Sequence, residues 1–398
     1  MRRISPAAKA RLPRKAPAVI PALALALALA AGQAAGSPPA PPGAVTGIPV
    51  ALLVDFNSGR TLYARAPDRR FPPASTAKVM TAYVAFAEMA QGRLSRQRQF
   101  TVRDATARAW NGRGAGLSLK GGTRLDTDTL LHAIATASAN DAAVVLAEGH
   151  AGDVARWCRL MNDQARRLGM HGSHFASPNG WFDRGATYVT ARDLVTLGEA
   201  LVIRYPAEYR RYFGQRQMTW NGITRQSHDP AIGVVAGADG IKTGYTAEAG
   251  YHFLGSAERG GRRLIMVIAG AGSEDQRAAA SRALLAWGFA AWQARPLFRK
   301  GSVIAAARVQ GGDARAVPLV ADRAVAAVMP QGAAGPIGLR VIYQGPLVAP
   351  ITRGARVAEL EIRSGEGGTS RLPLFAAKSV SKAGIFGWIA NGVAGFFP

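Results

Sequence analysis

The sequence predicts an α/β (α+β) chain of two domains, and three observations carry that expectation. Across residues 44–296, helical apolar stripes alternate with strands that turn back on themselves as hairpins. Beyond Leu297 the texture changes to short β-like runs between turns. Finally, 48% of the 398 residues are hydrophobic, enough for a full-sized core.

Residues 1–35 stand outside this fold. Arg2, Arg3, Lys9, Arg11, Arg14 and Lys15 form a basic stretch, residues 16–31 an apolar one, and Gly32-Gln33-Ala34-Ala35 offers small residues for cleavage, which together read as an export signal. The apolar run is short for a stop-transfer helix, and a Ser/Pro/Gly linker follows it through Gly43. The formal net charge is +24, of which cleavage removes six positive charges. No helix-turn-helix, zinc or RNA-binding signature accompanies that charge, so the expected partners of an exported chain are anionic lipid and cell wall, not nucleic acid. The single cysteine, Cys158, excludes an internal disulfide; it shares a helical stripe with Val154, Trp157, Met161, Ala165 and Leu168 and reads as core.

In the first domain, residues 48–56 read as a buried strand, Asn57-Ser58-Gly59 as a turn and residues 60–65 as the antiparallel partner. Pro72 and Pro73 then hold the chain extended up to Ser75, and apolar residues at helical spacing follow from Lys78. The Gly-punctuated residues 97–122 read as a surface loop beside a site. Helices are expected over 126–137, from Ala142, over 153–168 and over 191–203, with a break at Ser138-Ala139-Asn140-Asp141. Residues 241–257 read as one strand and 263–269 as its hairpin partner, before a helix opened by the capping box Ser273-Glu274-Asp275-Gln276. Residues 297–375 read as a small β-sandwich. In residues 376–398, Ile385, Phe386, Trp388, Ile389, Val393, Phe396 and Phe397 fall on one half of a helical wheel, the pattern of an interfacial membrane helix; a terminal helix docked on the protein is the alternative.

Ser75 and Lys78 lie one helical turn apart, so the hydroxyl and the amine share a face. A serine becomes a nucleophile when a base takes its proton, and a lysine is a base only where burial or positive neighbours lower its pKa. Two further motifs follow in order: Ser138-Ala139-Asn140, at an inter-helix break where side chains can reach a cleft, and Lys242-Thr243-Gly244 on a strand. Each short motif has a decoy or could arise by chance: Ser379-Val380-Ser381-Lys382 repeats the first, and Ser177-Pro178-Asn179-Gly180 repeats the second but reads as turn chemistry. The ordered trio is the set shared by penicillin-binding proteins and class A β-lactamases. The chemistry expected of it is acyl transfer. Ser75 attacks, Lys78 takes the proton, and Ser138 relays it toward the leaving amine, while Asn140 holds the substrate amide or fixes Lys78. Lys242 and Thr243 bind the terminal carboxylate, Gly244 leaves room for close approach, and the backbone N–H groups of Ser75 and Tyr245 stabilise the oxyanion.

With these residues the chain resembles the low-molecular-mass penicillin-binding D-alanyl-D-alanine carboxypeptidases of the serine-peptidase type. Asp55-Phe56-Asn57-Ser58-Gly59, Tyr83-Val84, Ser177-Pro178-Asn179-Gly180, Trp220-Asn221-Gly222-Ile223, Asp239-Gly240-Ile241 before the Lys242 motif, Ala249-Gly250-Tyr251 and Gly345-Pro346-Leu347-Val348-Ala349-Pro350 carry the likeness beyond the motifs. The resemblance implies a catalytic domain with an antiparallel sheet between helices, a β-rich second domain and a tail anchored on the outer face of the inner membrane. It also implies removal of the terminal D-alanine from peptidoglycan pentapeptide stems in cell-wall biogenesis and cell shape, and acylation by β-lactams. Arg277 matches a family arginine near the carboxylate pocket, an ordinary surface arginine being the alternative. Two positions depart from the family: Ala139 stands where glycine is common, and Ser227-His228-Asp229 stands where an Asn-Arg/His-Asn stretch is common.

No metal cluster or phosphate loop is visible, so no cofactor is expected. The rival readings are a D,D-endopeptidase acting on crosslinks, a β-lactamase and a non-catalytic cell-wall-binding protein. The Glu-x-x-Leu-Asn pattern that serves fast deacylation in the β-lactamases is absent, and a non-catalytic relic predicts a lost motif member where none is lost.

Overall fold

The structure, a computed structural model, describes residues 39–365 and 368–384. Strand β1 (Val50–Asp55) is buried at every position, as befits the interior of a sheet. Its turn is closed by Asp55 Oδ1, which accepts from the Ser58 amide at 3.0 Å and the Ser58 hydroxyl at 2.8 Å, and β2 (Arg60–Arg65) returns antiparallel. A 3₁₀ turn, Ala74–Ala77, precedes α1 (Lys78–Ala90). The stretch expected as a loop contains β3 (Gln99–Thr101) and α2 (Asp104–Trp110), because its glycines begin only after Trp110; it closes on β4 (Arg124–Asp126), which pairs with β3.

Helix α3 (Thr127–Ala135) is capped by Asp126, and α4 (Asn140–Ala151) begins inside the second motif, two residues before the expected Ala142. Helix α5 (Val154–Leu168) is capped by Asp153 and closed by left-handed Gly169, and it buries Trp157, Cys158 and Met161. Helices α6 (Ala191–Arg204) and α7 (Pro206–Tyr212) follow, then the hairpin β5 (Gln217–Trp220) and β6 (Ile223–Gln226) around Asn221-Gly222, both at positive φ as a type I′ turn requires.

The strand expected over 241–257 is two strands, β7 (Ala238–Thr246) and β8 (Gly250–Arg259). The Thr246 hydroxyl accepts from the Ala249 amide at 3.1 Å and Gly250 adopts a φ of 76°, so the chain reverses within the span read as one strand. With β9 (Arg262–Ala271) they complete an antiparallel sheet in the order β2-β1-β9-β8-β7. Leu52, Val54, Leu254, Ile265 and Val267 face α1 and α6, while Leu53, Phe253, Leu264, Met266 and Ile268 face α8 (Glu274–Ala290), so the sheet lies between helices. Ser273 caps α8, but Gln276 Oε1 accepts from the Gly272 amide and not from that of Ser273, so the capping box is displaced by one residue.

In the second domain, β10 (Trp292–Phe298) joins the two: its backbone pairs with a later strand while Trp292 packs into the layer under α8. Strands β11 (Val303–Gln310), β12 (Ala316–Val320), β13 (Val325–Pro330), β14 (Ile337–Ile342), β15 (Leu347–Val348), β16 (Arg356–Ser364) and β17 (Thr369–Ala376) complete it. A six-stranded sheet, β14-β16-β17-β12-β11-β15, faces the β10-β13 pair across a core that includes Leu319, Val325, Leu360 and Leu374. The domains are clamped by Arg323. It donates to the Phe56 carbonyl at 3.1 Å, pairs with Glu199 of α6 at 3.1 Å and lies 4.3 Å over the Phe56 ring.

The described part of the expected tail helix is not helical. Ala376 belongs to β17, Val380 bridges Ile351 and Lys382 bridges Gly312, and Val380 is buried at 1% exposure. The helical apolar spacing begins only at Ile385, and before it the chain is held by partner strands. The stretch expected as an export signal and the apolar residues from Ile385 onward lie outside the described residues. Among the described residues no helix is long and apolar enough to cross a membrane.

Candidate active site

The three motifs meet in one cleft of about 610 Å³ lined by Ser75, Ser138, Asn140, Thr243, Gly244, Tyr245 and Arg277. The decoy pair Ser379 and Lys382 sits in the second domain, where Ser379 Oγ accepts from the Arg353 amide. Ser75 occupies the 3₁₀ turn, and Lys78, the first residue of α1, extends beneath it at 1% exposure. Lys78 Nζ stands 2.8 Å from Ser75 Oγ and donates to Asn140 Oδ1 at 2.7 Å and to the Asn179 carbonyl at 2.8 Å. An amide oxygen and a backbone carbonyl can only accept. They consume the two N–H groups of a neutral amine and leave its lone pair for the Ser75 hydroxyl. The pKa moves the same way: burial holds Lys78 well below the usual lysine value, the Lys242 charge lowers it further, and Asp141 opposes both.

Asn140 is fixed from both ends, since its Nδ2 donates to the Arg113 carbonyl at 3.0 Å and its amide to the Ala115 carbonyl at 2.8 Å. Its neighbour Asp141 is buried, and its carboxylate accepts from the amides of Leu117 and Leu119, which ties the loop of the cleft wall to α4. Ser138 takes a φ of 58° and its hydroxyl opens on the cleft with no protein partner among the described residues. A non-glycine residue held in the left-handed region is strained, and such strain gathers at functional sites. Ala74, with a φ of 48°, carries the same strain immediately before the nucleophile.

Strand β7 is the free edge of the sheet and forms the opposite wall. A Cβ on Gly244 would stand 3.1 Å from the Ser75 amide and 2.9 Å from the Pro73 carbonyl, so glycine alone lets the strand lie against the nucleophile turn. Thr243 and Tyr245 line the cleft, Tyr245 stacked on Tyr251 at 4.2 Å. Lys242 is buried behind them and donates to its neighbour's carbonyl at 3.1 Å. Burial lowers its pKa to about 7, with Asp229 raising it and Arg277 lowering it. Arg277 is 3% exposed and pairs with Glu274 at 2.6 Å; its Nη2 also donates to the His228 carbonyl at 3.3 Å, and its Nε has no partner among the described residues. It is therefore built into the cleft wall and is not a surface arginine.

Two residues escaped the sequence reading. Asn179, set aside as turn chemistry, is both turn and site: its Oδ1 accepts from Ser177 Oγ and the Trp181 amide, while its carbonyl holds Lys78. The available signal was Gly180 beside it, where a Cβ would come within 1.8 Å of the Ala74 carbonyl, so that this turn packs directly under the nucleophile. Asp229 of the departing Ser227-His228-Asp229 stretch is buried. Its Oδ1 accepts from the amides of Ala231 and Ile232, and burial raises its pKa despite those bonds.

A cleft-lining serine beside a buried lysine, facing an open sheet edge, defines a serine hydrolase that works through an acyl-enzyme. Residues 44–273 match the D-alanyl-D-alanine carboxypeptidase family, and residues 292–382 match the C-terminal domain of penicillin-binding protein 5. The chain belongs to the D-alanyl-D-alanine carboxypeptidase family. It is 31% identical over 346 residues to the D-alanyl-D-alanine carboxypeptidase DacD of Escherichia coli K12, covering 85% of this chain and 88% of that protein. Penicillin-binding protein 5 from Haemophilus influenzae superposes with a TM-score of 0.71 at 28% identity, covering 87% of this chain and all of that one. Penicillin-binding protein D2 of Listeria monocytogenes, solved in its ampicillin-bound form, matches with a TM-score of 0.55 at 30% identity, covering 61% of this chain and 97% of that one.

Proposed function

We propose that the protein removes the terminal D-alanine from peptidoglycan pentapeptide stems by the following path. The substrate lies along the free edge of β7 with its terminal carboxylate toward Thr243, Lys242 and Arg277. Ser75 Oγ bonds to the carbonyl carbon of the penultimate D-alanine as its proton passes to Lys78 Nζ. The oxyanion is held by the backbone N–H groups of Ser75 and Tyr245. The proton then moves through Ser138 to the leaving nitrogen, the C–N bond breaks, and D-alanine departs. Water, giving a proton to Lys78, then attacks the ester carbonyl; the bond to Ser75 Oγ breaks, Lys78 returns the proton to that oxygen, and the shortened stem leaves with a new terminal carboxyl group. The observation that carries this reading is the buried Lys78 Nζ, 2.8 Å from Ser75 Oγ and held by the Asn140 amide oxygen and the Asn179 carbonyl, with burial lowering its pKa.

An ester on the same oxygen forms when a β-lactam acylates Ser75, a step supported by the ampicillin- and cefotaxime-bound forms of the Listeria relative. Labelled penicillin is expected to add one mass to the peptide containing Ser75, and Ser75→Ala to abolish it. Lys78→Ala is expected to lose on the order of 10² to 10⁴ in D-alanine release, the usual worth of a general base. An adduct elsewhere, or near-normal turnover by the Lys78 variant, rejects the mechanism. The basic, apolar leader supports export to the periplasm, and the one-sided apolar residues between Ile385 and Phe397 support anchoring on the outer face of the inner membrane.

A further inference from the structure

The turn Ser227-His228-Asp229 brings an acid close to Lys242 and Arg277. His228 lines the cleft and its carbonyl accepts from Arg277 Nη2 at 3.3 Å, while Asp229 lies behind it, near enough to both cations to interact with their charges. Asp229 Oδ1 accepts from the Ala231 amide at 2.8 Å and the Ile232 amide at 3.1 Å, and Arg282 of α8 donates to the Pro230 carbonyl at 2.7 Å. Two amides on one oxygen make a cap that an uncharged oxygen fills as well, so the turn does not require the charge. The other oxygen, Oδ2, is buried with no partner among the described residues, and so is Arg277 Nε. Lys242 Nζ, equally enclosed, has its hydrogen bond only to the Thr243 carbonyl among the described residues. Leaving a buried carboxylate oxygen unbonded costs free energy unless opposite charge stands nearby.

The charged groups around Asp229 are Lys242 of β7 and Arg277 of α8, with Glu274 of α8 already paired to Arg277 at 2.6 Å, Arg282 engaged on Pro230, and His228 the titratable neighbour on the turn itself. Burial raises the Asp229 pKa, but both amides, Lys242 and Arg277 act in favour of the anion. Arg277 is charged at every working pH and needs no help to remain so. Lys242 does: burial pushes its pKa down to about 7, Asp229 holds it up, and Arg277 pushes it down again. We propose, resting on the carboxypeptidase reading, that Asp229 is a positioning residue, an internal counter-ion that keeps a proton on Lys242 so that the pocket meets the substrate carboxylate as a cation through neutral pH. The same charge has the opposite effect in acid. Where Lys242 is protonated in any case, Asp229 only competes with the substrate carboxylate for the two cations.

D-alanine release from acetyl-L-alanyl-D-alanyl-D-alanine, with kcat and KM read from pH 5 to 10, tests this in the wild type, Asp229→Asn and Asp229→Ser. Both variants keep an oxygen for the Ala231 and Ile232 amides and lose the charge. The alkaline limb of kcat/KM is expected about one pH unit lower in each, the scale of one opposite charge removed from a lysine. That is a loss of about tenfold on the alkaline side, carried by KM rather than kcat. At pH 6 and below, the variants are expected to match or exceed the wild type. A loss of equal size at every pH marks a merely structural role and overturns the proposal. An alkaline limb that stays in place in both variants overturns it too, as does failure of both to fold, which would mean that the turn needs the carboxylate after all. Each of these results leaves the carboxypeptidase reading intact, whereas no release by the wild type overturns that reading and the role of Asp229 with it.

Discussion

Lys78 has to be neutral before Ser75 can react, and two things keep it so. Burial is the larger, and the Lys242 charge is the second. The sign of the pH dependence follows. A base held below its ordinary pKa is competent over more of the pH range, and activity rises as pH rises through that value. Replacing Lys242 by Gln removes a repelling cation, which favours the Lys78 ammonium and raises its pKa. The acid limb of penicillin acylation, followed across pH 5 to 9 in both proteins, is therefore expected to move to higher pH in Lys242→Gln. A limb that stays put or moves down contradicts the coupling. Lys242 itself, at about 7, is only partly charged near neutrality. A bound carboxylate draws a proton onto it, so substrate recognition should weaken on the alkaline side.

At the scale of elements, the site depends on how closely three turns pack. The 3₁₀ turn of Ser75 is pressed by β7 through Gly244 and by the 177–180 turn through Gly180. Gly180→Ala places a methyl 1.8 Å from the Ala74 carbonyl at a φ of 74°, so the nucleophile turn or the 177–180 turn must move. Displacement of either breaks the Asn179 carbonyl contact to Lys78. The expected result is a loss of about 2 to 4 kcal/mol in stability, the scale of a steric clash in a packed interior at a strained φ, seen as a lower Tm. A loss of acylation rate larger than that of a surface control is expected with it. A variant with normal Tm and normal acylation shows that the packing is dispensable.

For the whole molecule, the end of the second domain decides where the chain can be cut. Because Val380 and Lys382 pair with Ile351 and Gly312 and the Ala383 amide donates to the Gly311 carbonyl, the domain runs at least to Ala383 rather than ending at residue 375. Truncation after Gly384 is expected to move the processed protein from the membrane pellet to the soluble fraction with D-alanine release unchanged. Truncation after Leu374 removes the last pairing of β17 with β12 and exposes the core under Val380, so it is expected to lower Tm as well. Pelleting by the form cut after Gly384 locates the anchor elsewhere. Equal Tm for the two truncations shows that residues 375–384 add nothing to the domain.

What the sequence determined by itself was the local chemistry: a serine and a lysine one turn apart, the motif order, the turn at Asn57-Ser58-Gly59 and the cap at Ser273. These were legible because spacing within one turn, or a residue's own φ preference, decides them. Tertiary structure decided what depends on distant partners. Asn179 reads as a turn residue until its carbonyl is seen 2.8 Å from an amine 101 positions earlier in the chain. The reversal between β7 and β8 was passed over because β-forming residues resume at once after Gly250, and only the pairing of the two strands shows where the chain turns. The residues from Ala376 to Lys382 fall within the range expected as the tail helix but pair as strands, since the edges of β12 and the chain near Ile351 offer backbone partners that no local preference reveals. The lowered pKa of Lys78 belongs to the same class: its causes are burial and Lys242, and only folding brings either to bear.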